Sequence, residues 1–131
     1  MPSESVVGIV VVSHSRALAE GVAEVARAMG VGKAVIEPAG GDAEGGLGTS
    51  PDLVERAVAA ADSGDGVVLL ADLGSSVLTA RLVAEDAETR VVLADAPLVE
   101  GAIAAASTAA AGGGLEEVVA AAESAYDFRK R

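Results

Sequence analysis

The sequence predicts an α/β fold of three layers, with a doubly wound, mainly parallel sheet of strand order 2-1-3-4 flanked by helices. Three observations predict it. Short Val-rich runs alternate with stretches of helical periodicity, the pattern of βαβ units. Two of those runs, residues 6–12 and 66–72, are apolar almost without a break, as strands covered on both faces are. Gly, Pro and Ser punctuate the intervals, and right-handed crossovers then set the first and third strands side by side.

The first strand is Val6-Val7-Gly8-Ile9-Val10-Val11-Val12. At Ser13-His14-Ser15 it gives way to a helix from about Ser15 to Met29. Leu18, Val22, Val25 and Met29 recur there at helical spacing as one apolar stripe, and Gly30 and Gly32 punctuate its end. Residues 33–38 form the second strand. The following segment, residues 39–48, contains five glycines and is long for a βα connection, which predicts a mobile flap at the carboxyl edge of the sheet. The second helix opens with Ser50 as N-cap, Pro51 at the first helical position and Asp52 at the positive end of the dipole. Leu53, Val54, Ala57, Val58 and Ala61 face inward, and Asp62-Ser63-Gly64-Asp65 closes the unit as a turn.

Residues 66–72 are the third strand. A helix follows Gly74-Ser75-Ser76, with Val77, Leu78, Leu82 and Val83 as its expected buried side. Residues 90–95 are the fourth strand. The fourth helix starts at Pro97 and stops at Gly112-Gly113-Gly114, and Leu115 to about Tyr126 forms a last amphipathic helix. Alanine is the best helix former and packs closely, so the Ala-rich stretches read as tightly docked helices.

Length and a 51% apolar composition suit one domain over residues 1–131, with residues 1–5 and 127–131 as tails. No cysteine is present, which removes disulfides, thiolate chemistry and cysteine-bound metals. The opening residues lack a basic n-region and the apolar run after them is too short to span a bilayer, so the chain reads as soluble and cytoplasmic, with no membrane partner. A net charge of −11 argues against nucleic acid, which needs clustered Lys and Arg. Tyr126 and Phe128 are the only aromatic residues, too few for base or sugar stacking.

The single histidine, His14, stands at the carboxyl end of the first strand, where open α/β sheets place their chemistry. Strand order brings Asp72, at the end of the third strand, beside it. A carboxylate there fixes the imidazole tautomer and leaves the other nitrogen free to attack. Gly74-Ser75-Ser76 opens a helix at the same crevice, and its backbone N–H groups and hydroxyls suit a phosphoryl group. Against these readings stand commoner ones: a helix-capping histidine, a turn aspartate and an ordinary serine cap. Arg16 could meet a phosphoryl group or a docking protein, although an exposed helix arginine is more often solvated. The glycine-rich segment has neither the Walker spacing nor a dinucleotide fingerprint, and one His without Cys offers no metal-ligand set. Neither a bound cofactor nor a metal is expected.

Val12-Ser13-His14-Ser15, Gly48-Thr49, Asp72-Leu73-Gly74-Ser75 and Ala96-Pro97-Leu98-Val99-Glu100-Gly101 together resemble the DhaM family, over nearly the whole chain. Its members are phosphotransferase subunits of the phosphoenolpyruvate-dependent dihydroxyacetone kinase, built on a mannose-type EIIA domain of the phosphotransferase system. The resemblance implies that His14 accepts a phosphoryl group from the phosphocarrier HPr and passes it to ADP on the subunit DhaL, which serves dihydroxyacetone on DhaK. It implies Asp72 as the carboxylate supporting the histidine, Ser15, Thr49, Gly74, Ser75 and Ser76 as phosphate-stabilising residues, and a homodimer. Some members carry fused HPr and enzyme I domains; here the donor is expected to be a separate protein. The family's Gly-Thr-Asp is Gly-Thr-Ser in this chain, with Ser50 in third place.

Three other functions compete. A mannose-type EIIA component of a sugar permease shares the phosphohistidine and differs only in its acceptor. Small tetrapyrrole metallochelatases resemble the opening, with a histidine after a first strand, but Ser13-His14-Ser15-Arg16 has no second histidine to go with it. A receiver-type regulatory module would use Asp72, yet the acidic pair such domains need after the first strand is replaced by Ser13-His14.

Overall fold

The computed structural model describes residues 5–131. Its elements follow as β1 (Gly8–Ser13), α1 (Arg16–Met29), β2 (Val35–Gly40), α2 (Pro51–Ala61), β3 (Val67–Ala71), α3 (Gly74–Asp86), β4 (Val91–Leu93), α4 (Leu98–Ala110) and α5 (Leu115–Ser124), with a 3₁₀ turn over Ala125–Asp127. All strand pairs are parallel and the order is β2-β1-β3-β4, as the sequence predicts. Val12 of β1 pairs with Ala39 on one side and Ala71 on the other, so the ends of all three strands lie level at one edge.

β1 is buried along its whole length because helices cover both of its faces. Val7, Ile9 and Val11 pack on α1, α4 and α5, and Val10 and Val12 pack on α2 and α3. Alanine dominates the helix faces of the first layer: Ala19, Ala23 and Ala26 on α1, and Ala102, Ala105, Ala106 and Ala109 on α4. Small side chains let these helices lie close to the sheet at crystal-like density.

That close packing overturns two sequence expectations. On α1 only Val22 of the predicted stripe is buried; Leu18, Val25 and Met29 are about half exposed because the helix rolls its alanines inward. On α3 the buried residues are Ser76, Ala80 and Val83, with Val77 half-buried, whereas Leu78 and Leu82 point to solvent. Gly30 and Gly32 end α1 as expected, with Gly30 as its C-cap. Gly30 keeps a negative φ, and the left-handed conformations fall on Val31 (φ 46°) and Gly32 (φ 79°).

The segment after β2 is not a loose flap. Asp42 accepts backbone N–H groups of Glu44 and Gly46 through Oδ1, and Gly48 N–H donates to the carbonyl of His14 at 2.9 Å. Its glycines thus serve tight turns closed by Asp42. Of the two expected tails, residues 1–4 lie outside the described residues, Ser5 bonds Ser63, and Lys130 pairs with Glu100 at 2.6 Å. No helix among the described residues is long and apolar enough to cross a membrane.

Candidate functional site

β1 ends at Ser13, and His14 sits between strand and helix with its side chain 28% exposed. Ser15 turns the chain. It has extended backbone, and its Oγ accepts the N–H of Leu18 at 3.1 Å as the N-cap of α1. The ring is therefore held between a strand end and a capped helix start. Gly40, at the end of β2, lets this junction sit close, since a Cβ there would collide with the carbonyl of Ser15.

Asp72 follows β3 directly and meets His14 twice. Its Oδ2 accepts the His14 backbone N–H at 3.0 Å and the Ser13 hydroxyl at 2.9 Å. Its Oδ1 lies 3.0 Å from His14 Nδ1 and accepts the N–H of Leu73 at 2.7 Å. Burial works against the ionised form, but the donors from His14, Ser13, Leu73 and Ser76 outweigh it and hold the carboxyl down to about 2. An ionised carboxylate can only accept, so the shared proton belongs to Nδ1. In the neutral imidazole the lone pair then lies on Nε2.

The Nε2 side belongs to α3. Ser75 Oγ is 2.8 Å from Nε2 and 3.0 Å from Thr49 Oγ1. With a bare Nε2, Ser75 donates to the ring and accepts from Thr49. Ser76 is fully buried, with Oγ 3.1 Å from Nδ1. Gly74 adopts a φ of 48° as the helix opens, a conformation that L side chains rarely take. No side chain caps α3; the Ser76 N–H is spent on the Leu73 carbonyl, and the positive end of the helix dipole lies at Ser75, whose hydroxyl meets Nε2.

The structure thus brings together His14, Asp72, Thr49, Ser75 and Ser76. Gly74 joins them through its backbone. Ser15 is adjacent, with its hydroxyl committed to capping α1. Arg16 turns away and pairs with Glu20 at 3.1 Å. One participant was not singled out from the sequence. Ser13 is fully buried, and its Oγ donates to Asp72 while accepting the Ser15 N–H at 3.0 Å, which ties strand end, carboxylate and helix start together. A lone serine closing an otherwise apolar strand was the signal for it. Among the described residues no three His, Cys, Asp or Glu side chains cluster to hold a metal.

This arrangement presents one oriented nucleophilic nitrogen beside anion-binding donors. Comparison with known proteins says which family uses it. The family EIIA-man, described as PTS system fructose IIA component, matches residues 8–119. The chain belongs to the EIIA-man family. Within it, the chain is 35% identical over 97 residues to PEP-dependent dihydroxyacetone kinase 1, phosphoryl donor subunit DhaM, of Listeria innocua serovar 6a (74% of this chain, 77% of that one). The phosphoryl donor subunit DhaM of Escherichia coli K12 is 38% identical over 106 residues, which span 76% of this chain and 22% of that longer one. Among solved structures, one described as unknown function protein EF1359 superposes with a TM-score of 0.81 at 35% identity, covering 91% of this chain and 94% of the other. A sigma-54 interaction domain protein from Enterococcus faecalis, at 17% identity and a TM-score of 0.74, shares the fold. The resemblance read from the Ser-His-Ser, Asp-Leu-Gly-Ser and Ala-Pro-Leu-Val-Glu-Gly segments is borne out. An EIIA-man chain with DhaM relatives displaces the metallochelatase and receiver readings.

Proposed function

We propose that this chain is the phosphoryl donor subunit of a phosphoenolpyruvate-dependent dihydroxyacetone kinase, carrying the phosphoryl group on His14 Nε2. The observation that carries the reading is the pair of contacts on the imidazole: Nδ1 on the ionised Asp72 and Nε2 beside Ser75 at the start of α3. Nε2 attacks the phosphorus of a phosphohistidine on HPr, the N–P bond in the donor breaks, and the donor imidazole leaves with the electron pair. Positive charge that develops on the His14 ring is met by Asp72 through the Nδ1 proton. The displaced Ser75 hydroxyl and Thr49 receive the phosphoryl oxygens at the positive end of α3.

In the return step a β-phosphate oxygen of ADP, held on DhaL, attacks the same phosphorus. ATP forms there for dihydroxyacetone on DhaK, and His14 regains its Nε2 lone pair. Phosphoryl transfer rests largely on positioning and charge stabilisation, so the step needs no cofactor bound to this chain. The protein acts in the cytoplasm as a carrier between two partner proteins.

DhaM relatives at 35% and 38% identity favour this acceptor over a sugar-permease component, which would share the histidine chemistry. The test is discharge. The phosphorylated protein, mixed with DhaL and ADP, is expected to lose its phosphoryl group and yield ATP. Discharge to the EIIB component of a sugar permease, with none to DhaL, would overturn the assignment.

A further inference from the structure

Ser13 departs from the pattern of its own strand. β1 reads Gly-Ile-Val-Val-Val-Ser, and every residue in it is buried. By strand alternation Ser13 shares the face of Ile9 and Val11, where another apolar side chain would continue the core. A hydroxyl buried there costs stability unless its donor and its acceptor both find partners.

Both partners belong to the histidine site. The Ser15 N–H donates to Oγ at 3.0 Å and occupies a lone pair, so the hydroxyl proton is directed to Asp72 Oδ2, 2.9 Å away. Bonds in such a chain polarise one another, and the last acceptor is ionised. The backbone that carries the hydroxyl is anchored. Ser13 pairs with Gly40 of β2, and its carbonyl accepts the Gly41 N–H at 3.1 Å.

What the hydroxyl controls is the rotation of the carboxylate. The last torsion of an aspartate is broad and roughly two-fold, so the side chain alone does not choose which oxygen faces a neighbour. Here Oδ2 is held by two donors, the Ser13 hydroxyl and the His14 N–H, and Oδ1 is left to meet Nδ1 at 3.0 Å. With Ser13 removed, Oδ2 keeps one donor and the carboxylate plane is free to turn from the ring. Nδ1 then has Ser76 Oγ, 3.1 Å away, as its neighbour. A hydroxyl donates as readily as it accepts, so it suits either tautomer, whereas an ionised carboxylate suits only Nδ1–H.

We infer that Ser13 is a positioning residue, whose buried hydroxyl holds Asp72 in the rotation that keeps the proton on His14 Nδ1 and the lone pair on Nε2. It acts on the ring through Asp72 and, being fully buried, meets no partner protein. The consequence for transfer rests on the phosphocarrier reading; the consequence for the tautomer does not.

The test compares Ser13→Ala and Ser13→Cys with wild type in the full chain. The thiol nearly keeps the size of the side chain and is a weak donor. Nitrogen-15 NMR of the neutral imidazole should show the Nδ1–H form in wild type and a mixture of tautomers in both variants. Burial pushes the Asp72 carboxyl up and the donors from His14 and Ser13 help bring it down to about 2, so in both variants it should titrate nearer the ordinary 3.8. In rapid-quench transfer from phospho-HPr, kcat should fall roughly tenfold for loss of a hydrogen bond to a charged group, with KM unchanged. A purely structural serine would lower the melting temperature and leave tautomer and kcat as they are. The inference is overturned if a folded variant keeps the wild-type tautomer, if kcat stays within about twofold of wild type, or if KM rises in place of the fall in kcat. A wild type that accepts no phosphoryl group would end the phosphocarrier reading, and the NMR comparison would still decide what Ser13 does to the ring.

Discussion

Replacing Asp72 with Asn isolates what the carboxylate does, because shape is kept while charge and one acceptor are lost. Oδ2 accepts two donors and Oδ1 sits against His14 Nδ1 and the Leu73 N–H, so an amide must aim its NH₂ at groups that also donate. When the ring takes a phosphoryl group on Nε2, its developing positive charge faces Asp72 at 3.0 Å. Two unit charges about 4 Å apart at an effective dielectric near 20 interact by roughly 4 kcal/mol. The ring is 28% exposed, so solvent screens part of this. A loss of about 2–3 kcal/mol at the transition state remains, equivalent to roughly 30- to 160-fold in rate. The assay is rapid-quench transfer from radiolabelled phospho-HPr, with the folded state verified by circular dichroism. A folded Asp72→Asn variant transferring within about threefold of wild type would refute the argument that the carboxylate stabilises the charged ring.

Three further outcomes follow from the same geometry. The Asp72 carboxyl is depressed from 3.8 to about 2, so its stabilisation is complete above the unfolded value and is lost as pH falls through about 2. Wild type should therefore lose about 2 kcal/mol more than Asp72→Asn between pH 5 and 2 in denaturant titrations, and parallel curves would contradict this. Ser75→Ala removes a donor that the phosphoryl group inherits, so the phosphorylated fraction at a fixed ratio of phospho-HPr to HPr should fall, with the equilibrium moved roughly tenfold toward the donor. An unchanged equilibrium would remove Ser75 from the site. Val31 is exposed and left-handed, so Val31→Gly relieves about 1–2 kcal/mol of backbone strain against about 0.5–1 kcal/mol of added chain entropy. A small rise in melting temperature is expected, and a fall would show that the turn is not strained.

Strand order and the His14–Asp72 pair were legible because both follow from rules that act over the whole chain. Unbroken apolar runs mark strands covered on two faces, and right-handed crossovers leave few arrangements of four strands. Helix faces were less legible. Periodicity gives weight to large side chains, so Leu18, Val25 and Met29 stood out, while the face that docks is Ala19, Val22, Ala23 and Ala26. The same bias hid the outward leucines of α3. Hydroxyl geometry was beyond the sequence as well: serines in one short stretch include an exposed ring partner, Ser75, and a fully buried one, Ser76. The glycine-rich segment read as a flap because composition alone cannot show Asp42 closing it from within.

The most direct test of the central claim is the intact mass of the protein after incubation with phosphoenolpyruvate, enzyme I and HPr, for wild type and His14→Ala. One added, acid-labile phosphoryl group on wild type alone is the predicted result. No adduct on wild type with donors proven active, or an adduct that persists in His14→Ala, would contradict a phosphohistidine carrier.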